Sequence, residues 1–84
     1  MQPIHELLNR IRWDPEFGRG RFELAFLDHT AQALVKLPFD LLSFAPDDHY
    51  FFHYVDEEGA AHSVPFHRIK SVYKNGELIW HRAH

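Results

Sequence analysis

Residues 65–82 read P-F-H-R-I-K-S-V-Y-K-N-G-E-L-I-W-H-R. Asn75-Gly76 stands between two apolar-rich runs. Asn-Gly suits a type I′ turn, in which both central residues need φ > 0. A two-residue loop then sets the register. Lys74 faces Glu77, Tyr73 faces Leu78, Val72 faces Ile79, Ser71 faces Trp80, Lys70 faces His81 and Ile69 faces Arg82. Strict alternation puts Ile69, Ser71, Tyr73, Leu78, Trp80 and Arg82 on one face, which reads as core, with Trp80 buried. Lys70, Val72, Lys74, Glu77, Ile79 and His81 fall on the other. Gly76→Val should be costly and Asn75→Gly nearly silent. Pro65-Phe66-His67-Arg68 is a proline-led corner. His67 and Arg68 can serve one anion only if a bend or helical turn at 65–68 breaks the alternation.

Upstream, residues 3–13 read as the chain's one helix. Pro3 is well placed at its start. Ile4, Leu7, Leu8 and Ile11 form an i, i+3, i+4, i+7 stripe, and Glu6 and Arg10 stand four apart. Asp14-Pro15 ends it, leaving Trp13 at the exit. Residues 21–28 alternate, with Phe22, Leu24 and Phe26 on one face, so they predict a half-buried strand. A turn at 28–31 returns the chain through 32–37. Residues 39–44 predict a short helix or irregular turn, with Asp40 as a cap. Residues 49–55 are an aromatic strand, 56–59 a hairpin loop and 60–64 its partner. The fold class is therefore α+β. One N-terminal helix packs on a bent, mainly antiparallel sheet of about six strands, in three hairpins, or on an incomplete barrel.

The 84 residues are the length of a single domain, 1–84. With no cysteine, neither disulfides nor thiolate metal sites are available. Core mass comes instead from 8 Phe, 3 Tyr and 2 Trp. There is no run of ~20 apolar residues for a membrane span and no secretory leader pattern, so a cytoplasmic protein is expected. The formal charge of −3 argues against a non-specific duplex binder. Yet Arg10, Arg12, Arg19 and Arg21 cluster, as do Arg68, Lys70, Lys74 and Arg82. A local basic site could take a small anion or a nucleic-acid end.

None of the eight histidines falls into a recognised metal-ligand frame, so neither a metal nor another cofactor is expected. No serine has the glycine context of a nucleophile elbow, and no phosphate-binding glycine loop is present. Two constellations remain. Arg10, Arg12, Trp13 and Asp14 offer an anion-binding arginine beside a stacking plane, although composition alone favours a solvated helix end with a core tryptophan. His67 and Arg68, with Trp80 and Arg82, offer donors for phosphate oxygens, or a satisfied corner.

These residues carry a resemblance. L-L-N-R-I-R-W-D-P (7–15), F-L-D (26–28), P-F-H-R-I (65–69) and N-G-E-L-I-W (75–80) resemble the RNA cyclic-group end recognition domain, a family of small archaeal, bacterial and eukaryotic proteins. The likeness spans nearly the whole chain. It implies a non-catalytic module that senses RNA 3′ ends bearing a 2′,3′-cyclic phosphate. Such a module would work with RNA repair and processing enzymes. Carried onto this chain, its motif positions are Arg12, Trp13, Asp14, Asp28, His67, Arg68 and Trp80. His29 departs from the pattern, because many relatives have arginine there. Two other readings stay open: a phosphoesterase with His67 as acid or base, and a protein-interaction adaptor using strand 49–55.

Overall fold

The computed structural model describes residues 2–82. Helix α1, Ile4–Trp13, starts at Pro3 and ends at Asp14. Leu7, Leu8 and Ile11 are buried as the stripe requires. Arg10 pairs with Asp14 (Nε···Oδ2 3.9 Å) and lies 4.0 Å over the Phe17 ring, rather than joining Glu6. Gly18 then passes so close to the helix that a Cβ there would sit 2.4 Å from the Ile11 carbonyl oxygen.

Seven strands follow: β1 Phe22–Asp28, β2 Ala33–Pro38, β3 Leu42–Ser43, β4 Phe51–Val55, β5 Ala61–Pro65, β6 Ile69–Lys74 and β7 Glu77–His81. Single 3₁₀ turns occupy Phe39–Leu41 and Phe66–Arg68. The three hairpins are present, and the fold is α+β. The strands divide into two antiparallel sheets, β2-β1-β6-β7 and β3-β4-β5, and do not close into a barrel. The extra strand, β3, comes from the region read as a turn. The Phe39–Leu41 turn starts at Pro38 with no side-chain cap, so Asp40 does not serve as one.

The core lies between α1 and the inner faces of the sheets. Aromatic rings link the two sheets. Phe26 meets Phe52 edge-on at 5.5 Å. A chain of rings from Phe17 through Phe22, Phe39 and Phe44 reaches Phe66, with centroids 5.7–6.3 Å apart. Such pairs add about 0.5–1.5 kcal/mol each beyond area burial, which matters in a domain too small for a large aliphatic core.

The final hairpin corrects its expected register. Both turn residues have positive φ, 53° at Asn75 and 83° at Gly76. Lys74 faces Glu77 and Tyr73 faces Leu78, as read. Ile79 is then an extra residue, so Val72 faces Trp80 and Ser71 faces His81. On the other side of β6, Lys70 is extra against β1, with Ala25 facing Ser71 and Phe26 facing Ile69. These bulges turn Ile69, Val72 and Trp80 inward together. Val72 is fully buried, whereas Leu78 is 48% exposed. Ser71 and Tyr73 are only half-buried.

Space around Gly76 is open, so Gly76→Val is strained by its backbone conformation alone. We expect a loss of roughly 1–3 kcal/mol, the cost of a sparsely populated φ/ψ region. Asn75→Gly should not be silent. The Asn75 Oδ1 accepts the Arg21 N–H at 2.9 Å, tethering the turn to the start of β1. Losing that bond should cost about 0.5–1.5 kcal/mol. Urea denaturation of both variants checks the pair; equal stability of all three proteins contradicts this turn.

Candidate nucleic-acid interface

The Phe66–Arg68 turn is where the second sheet hands the chain to the first. Pro65, at φ −63° and ψ 142°, enters it extended. Phe66 is the inward anchor, its ring stacked on Phe52 at 6.4 Å. Its N–H donates to the Tyr50 carbonyl at 2.8 Å. Arg82 closes the other side: Nη2 donates to the Phe66 carbonyl at 3.2 Å and Nε to that of Ile69 at 3.0 Å. A 3₁₀ turn has three residues per revolution, so successive side chains leave about 120° apart. With Phe66 buried, His67 is exposed and Arg68 half-buried. The alternation is broken, as a shared anion site demands.

Arg68 is anomalous. Its Nε is buried and is the one such side-chain nitrogen or oxygen without a hydrogen-bond partner among the described residues. No carboxylate pairs with it there either. A buried donor left unmade costs about 1–3 kcal/mol, and such exceptions in folded proteins call for a reason.

Helix α1 and the end of β1 both contact this turn. Arg12 is half-buried, with its guanidinium 5.2 Å from the Phe44 ring and 5.2 Å from the Trp13 ring. Its Nη2 donates to the Phe44 carbonyl at 3.5 Å. Phe44 in turn packs against Phe66 at 6.3 Å, so a single ring joins Arg12 to the turn. Trp13 is 70% exposed, which removes the core-tryptophan reading and leaves a free indole face at the helix exit. The β1–β6 ladder ends at Phe26 and Ile69, which brings the next residues of β1, up to Asp28, alongside the turn.

A model of the MJ1316 RNA cyclic group end recognition domain matches residues 1–82. The chain belongs to that family. No curated protein and no solved structure matches it significantly. The family's description names RNA ends bearing a cyclic group, so the cationic and aromatic groups of this domain are the ones to weigh.

Asp14 and Asp28, both expected as site residues from the sequence, hold turns. The Asp14 Oδ1 accepts the N–H groups of Glu16 and Phe17 at 3.0 and 3.1 Å. Those backbone bonds, Phe17 first, with help from Arg10 and Lys74, hold its carboxyl below the usual aspartate range. The Asp28 Oδ1 accepts from Thr30 at 2.9 Å and Ala31 at 3.4 Å. Both carboxylates thus shape the backbone beside the cationic residues.

Two of the grooves on the described surface carry charged side chains. One, of about 480 Å³, includes His5, His49, Tyr50, Phe51, His67 and Arg82 in its lining, with no carboxylate among the described lining residues. The other, of about 750 Å³, sets Arg21 among Glu23, Asp40 and Asn75. Mixed charge there gives an anion no net attraction. His5, His49 and Tyr50 were not legible as site residues, because no motif links positions so far apart in the chain. Among the described residues, no three His, Asp or Glu side chains converge as metal ligands.

Proposed function

We propose that this domain is a non-catalytic RNA-binding module that recognises 3′ ends bearing a 2′,3′-cyclic phosphate, in the service of RNA repair or processing. The observation that carries the reading is Arg68, half-buried at this turn with no carboxylate paired to it among the described residues. A guanidinium without an anion partner is suited to receive one, and its planar fork matches phosphate oxygens. Arg68 and Arg12 take the non-bridging oxygens, and His67 adds a donor at the exposed edge. Trp13 offers its free face to the terminal base, since unstacked RNA ends are read by aromatic stacking. Asp14 and Asp28 position these groups through the turns they hold. The family's description, which names RNA ends with a cyclic group, supports this reading.

The test is an NMR titration with short RNAs that differ only at the 3′ end: cyclic phosphate, linear phosphate or hydroxyl. Amide shifts at 12–14 and 66–68 should saturate at the lowest concentration with the cyclic end. Equal responses to all three remove the end-recognition reading. Phosphorus spectra of the same samples should show the cyclic phosphate intact after long incubation. Its conversion to a monophosphate would instead favour an enzyme using His67.

A further inference from the structure

We infer that the groove beside His67 is a second nucleotide subsite, which takes the nucleotide on the 5′ side of the RNA end. This rests on the end-recognition reading for the direction of the strand. The groove is built from four separate parts of the chain: the first turn of α1, residues 49–51, the Phe66–Arg68 turn and Arg82. It is continuous with the end site, because His67 lines the groove and Arg68 is the next residue of the same turn.

Its chemistry commits it to a single nucleic-acid strand. The lining offers Arg82 and three imidazoles as donors for phosphate and ribose oxygens, and the neighbouring Asp48 carboxylate is engaged by the backbone N–H groups of Tyr50 and Phe51. Tyr50 is 74% exposed and Phe51 39%, which leaves two rings for a base. Proteins hold unpaired strands in cationic grooves with aromatic platforms, and here Arg82 supplies the cation and Tyr50 and Phe51 the platforms. The two ends of α1 separate the platforms. His5 borders the groove, whereas Trp13 lies eight residues on, about 12 Å along the axis at 1.5 Å per residue. One base can therefore lie at each end of the helix, splayed apart as in single-strand recognition.

The groove's floor is rigid enough to be a site. The Asp48 Oδ1 accepts the N–H groups of Tyr50 at 2.9 Å and Phe51 at 3.0 Å, fixing the bend that presents Tyr50. The Tyr50 carbonyl is bonded to Phe66, so the ring can be changed without releasing the backbone that carries it.

The experiment measures affinity for a cyclic-phosphate mononucleotide and for the corresponding di- and trinucleotides. The dinucleotide should bind about tenfold more tightly than the mononucleotide, and the trinucleotide little better than that. Tyr50→Ala should abolish most of the tenfold gain, the scale of one base–aromatic stack, with mononucleotide affinity unchanged. Tyr50→Phe should keep it, and His49→Ala should lose about threefold. Arg68→Ala should weaken all three ligands by the same factor. Equal affinity for mono- and dinucleotide, or an equal effect of Tyr50→Ala on both, overturns the subsite. End-group discrimination retained without length dependence removes the groove and leaves the end site. Length dependence that is sensitive to Tyr50 but indifferent to the end group supports the groove and removes the end site.

Discussion

Trp80→Ala should destabilise the domain by about 3–5 kcal/mol, the usual cost of truncating a buried tryptophan. Trp80 is 7% exposed and faces the fully buried Val72 across the final hairpin. Its Nε1 also donates to the Gln2 carbonyl at 2.7 Å, fastening the segment that leads into α1. Truncation therefore opens a cavity and frees the helix entry together. Folded domains have total stabilities of about 5–15 kcal/mol, so the loss could take half or more of what this one has. Trp80→Phe keeps most of the packing and loses the hydrogen bond, so it should cost less, about 1–2 kcal/mol. Denaturant titration followed by circular dichroism reads both. In Trp80→Ala the remaining tryptophan is the exposed Trp13, so fluorescence would report little of the unfolding. A Trp80→Ala variant that melts sharply within a few degrees of the parent contradicts the hairpin core.

Arg68→Ala should do the reverse, leaving the fold intact and removing the ligand. Its Nε is already without a partner, so truncation breaks no native hydrogen bond there. The packing lost with its half-buried stem is offset in part by removal of the unsatisfied donor, so the domain should stay folded. Affinity for a cyclic-phosphate RNA end should fall by about 1.5–3 kcal/mol, the range for a charge-assisted hydrogen bond. Arg68→Lys should restore only part of this, because an ammonium cannot reproduce the guanidinium fork. Arg68→Met, which keeps the apolar stem's volume, should bind as poorly as alanine. Salt dependence should be shallow, since only one or two phosphates are neutralised. Calorimetry on the folded variants decides the matter: unchanged affinity in Arg68→Ala would remove this site.

What the residues determined unaided was local. The stripe Ile4, Leu7, Leu8, Ile11 can bury itself only as a helix. Phe22, Leu24 and Phe26 share a face only as a strand. Asn75-Gly76 accepts the positive φ values that few other pairs tolerate, and Pro65 ends β5 just before the turn that carries His67 and Arg68. Each of these preferences acts within a few residues, so each is written where it operates.

Tertiary structure decided what depends on distant partners. Strict alternation would bury Ser71 and expose Val72. Pairing with both β1 and β7 inserts Lys70 and Ile79 as bulges and reverses that choice, because burying Ile69, Val72 and Trp80 on one face outweighs two irregular ladder positions. The division into two sheets depends on how the aromatic rings pack between them. Trp13 could have turned into the core or away from it, and the helix exit held by Asp14 leaves it outside. Arg68 and Arg12 were legible as charges, but not the missing partner of one or the Phe44 contact of the other. The groove joins residues 5, 49, 50, 67 and 82 across the whole chain. No local rule writes such a set down, because only the closed core brings those positions to one place.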